Sequence, residues 1–380
     1  MRTSTRNVAL LAVALAFPLG AGCAGDPIIG DPGIGGDNAM TSTGFFQGNA
    51  GGGSFGSDGS FSSGPFLQPG VWFKKYGDEE DQRASAVAVN FAGEVALVGT
   101  AKGIINFGNI PWEGTKTDTD VVVAKLSVEG QSMWSRRYGD SCDQHSGAVA
   151  HLPSGSVLLA GDFCGAMDFG TTSLQTKGAE VDLFVAVIDT LGEDVYSRSF
   201  GGKGAQIARA AVVDPQGNAV IVGSFAEAFD DGSGEAPSAG LDDAFVAVMD
   251  GAGKPLWGRT IRGDENQRGT GVSFALNEDV AISGTSDEMI DLSQQFLTFP
   301  VTHPFTGLVP SMVFAIRFSE PGEGLAGWVL EGNDAMESIG IGFEQSFGII
   351  LAGSFQKTLG FQSGPIDSVG GWDVFLTREL

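Results

Sequence analysis

A short run that closes on glycine recurs five times in this chain, and the recurrence limits what the chain can fold into. It reads EVALVGT at Gly99, SVLLAGD at Gly161, NAVIVGS at Gly223, DVAISGT at Gly284 and GIILAGS at Gly353. The intervals are 62, 62, 61 and 69 residues. A fixed period of this size marks supersecondary units that bury their apolar faces only against neighbours of the same kind. Two further columns keep the same period. One is DVVVAKL from Asp120, DLFVAVI from Asp182, DAFVAVM from Asp243, SMVFAIR from Ser311 and DVFLTRE from Asp373. The other is led by an aromatic or apolar residue: VWFKKYG, MWSRRYG, VYSRSFG, LWGRTIR and the divergent LAGWVLE. The longer fourth interval comes from an insertion, Gln294 to Pro310.

Each repeat thus carries four β runs, a to d, exemplified by ASAVAVN, EVALVGT, DVVVAKL and MWSRRYG. Their alternation and β-branched content are those of strands, and no segment has the period of an amphipathic helix. The expected fold is all-β: a five-bladed β-propeller of four-stranded antiparallel blades. The frame is offset. The repeat region opens with a d-type run, Val71 to Gly77, and ends on a c-type run, Asp373 to Leu380. Pairing of those two runs is expected to close the ring and remove the open edges; an open solenoid is the alternative. Strand a fits an innermost position. Small Ala86, Ala148, Ala210, Gly271 and Gly340 precede the mostly larger Val87, Val149, Ala211, Val272 and Ile341. His151 stands in a column with Val89, Val213, Phe274 and Phe343 and reads as a packed histidine.

The stretches DAFVAVMDGAGKPLWGR and RSFGGKGAQIARAAVVDPQGNAVIVGSF resemble the bacterial SBBP-type β-propeller repeats. The resemblance spans roughly residues 70–380 and fades in the fourth and fifth repeats. It implies an exported or surface-exposed propeller and carries no shared catalytic residues.

The N-terminus points to export. Arg2 and Arg6 precede an apolar run, Val8 to Ala21, the pattern of a signal peptide over 1–22 and too short to span a bilayer. LGAGC resembles a bacterial lipobox, with Cys23 as the lipidated residue; ordinary secretory cleavage is the alternative. Ala24, in place of Asp, leaves outer-membrane sorting as the expectation. Residues 23–69 are rich in Gly and Ser and read as a flexible tether. The propeller region is then 70–380. The location expected is an outer-membrane lipoprotein or an extracellular protein, touching membrane only through its lipid.

The formal charge of −25 repels phosphate backbones, so nucleic acid is excluded as a partner. An envelope or extracellular protein or a glycan fits better, bound by a monomer. With Cys23 lipidated, Cys142 and Cys164 remain, at the same end of one predicted hairpin, and a disulfide is expected. The alternative, a Cys142 nucleophile with His145, lacks an orienting group.

Between strands d and a the five repeats read DEEDQ, DSCDQ, GKGAQ, GDENQ and GNDAM. One reading is a blade joint, with the Gln satisfying backbone groups and the acids as a solvated rim. The other is a Ca²⁺ site on Asp78, Asp81, Asp140 and Asp143, though without the spacing of a known calcium loop. No other cofactor is expected. The Asp column before strand c (Asp120, Asp182, Asp243, Asp373) reads as a turn residue. Phe296, Phe299 and Phe305 in the insertion are candidate partner contacts. No HExxH, GxSxG or CxxC occurs, and GGKG at Gly201 lacks the rest of a phosphate loop. The functional expectation is a cell-surface binding module for protein or glycan. A glycan-active hydrolase with rim carboxylates, or a purely structural envelope lipoprotein, are the alternatives.

Overall fold

The computed structural model describes residues 72–178, 180–230, 234–275, 279–288, 290, 311–320, 322–343, 348–361 and 364–379. The signal segment, Cys23, the tether and the insertion with Phe296, Phe299 and Phe305 lie outside the described residues. The described residues from Phe73 onward belong to one compact unit.

The described residues contain strands and turns and no helix. The first repeat holds β1 (Gln82–Val89), β2 (Val95–Ala101), β3 (Ile104–Asn106), β4 (Pro111–Glu113), β5 (Asp120–Leu126) and β6 (Ser132–Tyr138). The second holds β7 (Gln144–His151), β8 (Val157–Phe163), β9 (Ala166–Asp168), β10 (Ser173–Gln175), β11 (Asp182–Ile188) and β12 (Asp194–Phe200). The third holds β13 (Gln206–Val213), β14 (Ala219–Asp230), β15 (Glu235–Met249) and β16 (Pro255–Ile261). The fourth has β17 (Gln267–Phe274), β18 (Val280–Ser286), β19 (Ser311–Phe318) and β20 (Gly324–Gly332). The last has β21 (Met336–Phe343), β22 (Ile349–Phe361) and β23 (Gly364–Glu379).

The first three repeats are separate antiparallel sheets with the strands in the order a-b-c-d. The fourth and fifth share one seven-stranded sheet, joined where Gly332 of β20 pairs Leu359 of β22. This is a propeller-like array of antiparallel sheets. One feature was not anticipated: a small hairpin between b and c. It is β3–β4 in the first repeat and β9–β10 in the second, and in the third and fifth it is the extended tip of β14–β15 and β22–β23. Runs of three residues are too short to show a period of two.

The glycine column has a packing cause. The Cβ that Gly161, Gly223, Gly284 or Gly353 lacks would strike the ring of Phe184, Phe245, Phe314 or Phe375, the paired residue on strand c. It would also strike a strand-a carbonyl, as at His145 and Ile207. Strand a is bulged at one place in all five repeats, between Ala84/Ala86, Ser146/Ala148, Ala208/Ala210, Gly269/Gly271 and Ser338/Gly340. A bulge recurring at one position is a built feature of the strand.

Core sits between consecutive sheets. Val185, Leu158, Ile221 and Phe245 form one cluster, and Val222, Val246, Ile282 and Phe314 the next. The ends of the array differ. Residues 72–77 carry no strand assignment, and the register of β23 is to β22. The expected pairing of the two terminal runs is therefore absent from the assigned ladders.

Candidate functional site

The loops from d to a form the corners of the array, and the first two share one construction. Asp78 accepts from the backbone N–H of Ile104 (2.6 Å) and Glu80 (2.9 Å) and from Gln82 Nε2 (2.6 Å). Asp140 accepts from Ala166 N–H (2.7 Å), Cys142 N–H (3.1 Å) and Gln144 Nε2 (3.0 Å). Each carboxylate ties its corner to the b–c hairpin. The amide of Ile104, then that of Glu80, hold the Asp78 carboxyl below its ordinary range. Asp143 accepts from Thr119 N–H (2.8 Å) and Oγ1 (2.9 Å), which holds it low as well. Asp81 is exposed, and its carbonyl accepts from Lys102 N–H (2.8 Å).

Backbone conformation follows the same logic. The residue four after the column glycine is left-handed at Gly103 (φ 60°), Gly165 (φ 63°), Glu227 (φ 59°) and Lys357 (φ 56°). In the first two repeats a Cβ there would lie 2.6 Å from Asp78 Oδ2 or Asp140 Oδ2, so only glycine fits. In the third repeat the corner has no carboxylate and Glu227 occupies the position; in the fifth, Lys357 occupies it and its Nζ pairs with the corner Asp334 at 2.6 Å.

The Gln column is buried at Gln144, Gln206 and Gln267. Gln206 Nε2 donates to the carbonyls of Lys203, Gly204 and Ala228, each at 3.1 Å, so the third corner needs no acid. In the fourth repeat Glu288 replaces the corner Asp from the other side, accepting from Glu265 N–H (3.0 Å) and Gln267 Nε2 (3.2 Å). Nothing in the spacing of the acids reveals that exchange. The Asp column also serves turns: Asp182 accepts from Lys177 N–H (2.8 Å), Asp243 from Ala239 and Gly263 N–H (2.7 and 3.0 Å) and Asp373 from Val369 N–H (2.9 Å). Asp120 instead accepts from Arg137 Nε (2.6 Å). Burial raises the carboxyls of Asp120, Asp182 and Asp243.

Cys142 and Cys164 form a disulfide with Cα atoms 6.1 Å apart, which removes Cys142 as a nucleophile. His145 Nδ1 instead meets Asp162 at 3.1 Å across β7–β8. Asp78 and Asp81 lie on one corner, Asp140 and Asp143 on the next. Among the described residues no group of three or more His, Cys, Asp or Glu is placed to hold a metal ion. The carboxylates of Asp78, Asp140 and Asp143 accept hydrogen bonds within the corners, and Asp81 lies exposed. His151 is half-buried, with neither ring nitrogen hydrogen-bonded; burial, then Lys125, lowers its pKa.

The opposite turns differ from the corners in their uniformity. At Asn90–Glu94, Ser127–Gln131, Leu152–Ser156, Asp189–Glu193, Asp214–Asn218, Asp250–Lys254 and Ser319–Glu323 the same two backbone bonds close the same five-residue turn. The corners share no such single bonding pattern.

No known protein family and no curated protein matches the chain. Among solved structures, a protein of unknown function from Bacteroides caccae is similar at 11% identity, over 66% of this chain and 88% of that one, with a TM-score of 0.32. A glucose dehydrogenase is similar at 14% identity, over 77% and 83%, with a TM-score of 0.36. A gluconolactonase from Xanthomonas campestris is similar at 12% identity, over 80% and 99%, with a TM-score of 0.23. Likenesses this distant carry no argument about what the chain does.

Proposed function

We propose that this chain is an exported five-bladed β-propeller whose corner face recognises a protein or glycan at the cell surface. The observation that carries the reading is the contrast between its turns: one set repeats a single geometry, whereas the corners, equal in length, vary in charge and in hydrogen bonding on a braced frame. Recognition surfaces are commonly variable loops on a rigid scaffold. The disulfide suits an oxidising compartment, and lipidation at Cys23 would anchor the chain there.

Closure of the ring is part of the proposal, and the end of the first run supports it. Tyr76 packs on Phe107 with ring centroids 4.8 Å apart, as Tyr138 packs on Phe169 at 4.4 Å. Gly77 lies against Gln82 as Gly139 lies against Gln144. Tyr138 belongs to a d strand. Tyr76 therefore holds the position, relative to the first repeat, that a d strand of the fifth blade would take.

The test uses the full chain immobilised on beads, challenged with an envelope extract and with a glycan array. Capture should be lost when the exposed corner residues Glu79, Asp81 and Glu265 are changed together to Lys. Capture that survives this reversal would remove the corner face as the recognition surface.

A further inference from the structure

A cavity of about 340 Å³ lies between Lys74–Tyr76, the β3–β4 hairpin and the turn leading into β6. That is near the lower end of ligand pockets, which run from roughly 300 to 1,000 Å³. Its polar walls come from Lys74, Lys75, Asn106, Asn109, Gln131 and Ser132. Tyr76 also lines it, and the buried Tyr76 hydroxyl has no hydrogen-bond partner among the described residues.

The second repeat provides an internal control, because every lining position has a counterpart 62 residues on. There the site is self-satisfied, whereas in the first repeat only the bond from Asn109 Nδ2 to Ser132 Oγ (3.2 Å) joins two of the lining side chains. Arg136 Nη2 bonds Glu193 Oε1 at 2.8 Å, and Asp194 accepts from Thr171 Oγ1. Asp168 caps its turn through Gly170 N–H at 2.8 Å, as Asn106 does through Gly108 N–H at 2.8 Å. In the first repeat the three acids Asp168, Glu193 and Asp194 are replaced by the neutral Asn106, Gln131 and Ser132. The basic pair persists: Arg136 and Arg137 correspond to Lys74 and Lys75. Each replacement keeps a hydrogen-bonding group and removes a negative charge, in a chain with 46 acidic and 21 basic residues. The turn geometry needs no such change, since Asn and Asp cap it alike. The result is a cavity lined by Lys74, Lys75 and three side-chain amides, Lys74 standing where Arg136 meets Glu193 and Lys75 where Arg137 turns to Asp120. Amides both donate and accept, which matches sugar hydroxyls. Lys74 supplies the counter-charge for a carboxylate.

We infer that this cavity binds an acidic sugar, a hexuronate unit held by its carboxylate at Lys74 and by its hydroxyls at Asn109 and Gln131. The site is separate from the corner face, so either can fail alone.

The test is calorimetric titration of the full chain with glucuronate and galacturonate, with glucose, galactose and inorganic sulfate as comparisons. At least one uronate should bind about tenfold or more tightly than its neutral hexose and than sulfate. The double change Gln131→Glu with Ser132→Asp installs the second repeat's acids and should weaken uronate binding by about tenfold or more. Lys74→Gln with Lys75→Gln should do the same, and it serves as the second variant if the first melts early. Absence of uronate binding in the unaltered chain overturns the inference. So does uronate binding that survives both double changes in variants that melt like the unaltered chain. Sulfate binding as tight as uronate binding would overturn the assignment to a sugar.

Discussion

Strand c of the third repeat and strand c of the fifth are built from the same column in different surroundings. Ala244 and Val246 in β15 are fully buried between two sheets. Their counterparts in β23, Val374 and Leu376, are 78% and 71% exposed. Strand a shows the matching asymmetry. Val149 in the second repeat is 4% exposed, whereas Val87 in the first is 54% exposed. A residue pattern that specifies a two-sided core is thus present at both ends of the array, and this structure covers only one side of each end. The pattern was written for neighbours on both faces, which is what a ring supplies and a row does not. Interior joints and the terminal seam can therefore be compared residue by residue.

The largest effect is expected at an interior joint. Lys125 is 1% exposed, donates to Gly155 O at 2.9 Å in the next repeat, and pairs with Glu94 Oε2 at 2.8 Å. The same two positions in the fourth repeat hold Arg317 and Asp279, with Arg317 5.9 Å from the centroid of the Phe343 ring in the following repeat. Glu94→Gln strands a buried ammonium. The expected loss is about 3 kcal/mol, the low end for a broken buried pair, because the Glu94 side chain is 24% exposed. Lys125, foremost through its hydrogen bond, holds the Glu94 carboxyl below its unfolded value. Its stabilisation is therefore complete above the unfolded pKa and disappears as pH falls through the folded one. Urea titrations should show the two proteins far apart at pH 7 and converging in acid. A constant gap across that range would mean that the pair contributes no linkage. Converting both residues, with Lys125→Met, should recover most of the loss.

At the seam the discriminating change is Leu376→Ala. Under ring closure Leu376 is covered as Val246 is, and truncation should cost about 2 kcal/mol. An open end predicts a change within about 0.5 kcal/mol, as for other exposed positions. The measurement is the urea midpoint, repeated in a chain lacking residues 71–77. Closure requires that the deletion itself lower stability and erase the effect of Leu376→Ala, a non-additivity that a double-mutant cycle reads directly. Two independent, additive effects would leave the fifth sheet open.

Much of this architecture is legible in the residues, and the exceptions have physical causes. Gly161 and Phe184 belong to columns visible in the sequence, but their collision is a property of strand pairing, which sequence alone leaves open. Cys142 and Cys164 were readable because hairpin register places both at one end. The b–c hairpins escaped notice because three residues carry no period. Lys125 and Glu94 are not legible as a pair because the second repeat has Val187 and Ser156 there and only the fourth, with Arg317 and Asp279, keeps opposite charges. The corner acids are conspicuous for their density, yet their work as amide acceptors depends on hairpins that were not foreseen. The cavity at Lys74 is legible in an alignment of the first two repeats, since acids become two amides and a hydroxyl at three of its positions.

The smallest effect separates the first two repeats at a corner rather than a joint. His145 and Asp162 face each other across β7 and β8, where the first repeat has Arg83 and Thr100. The hydrogen bond that the imidazole donates to Asp162 raises the His145 pKa against the opposing effect of burial. A folded-state value above the unfolded one contributes stability that is fully present below the unfolded pKa, near 6.5, and is lost as pH rises through the folded value. The imidazole is 37% exposed, so solvent screening keeps the contribution below about 1 kcal/mol. Thermal melts between pH 5.5 and 8.5 should show the unaltered chain losing stability with rising pH relative to His145→Gln. Arg83→Gln, at the matching corner without a carboxylate partner, should leave the slope unchanged. Parallel pH profiles for the unaltered chain and His145→Gln would mean that the pair, although within hydrogen-bonding distance, has no preference for the charged imidazole. The second corner would then owe its distinct character to the disulfide and Asp140 alone.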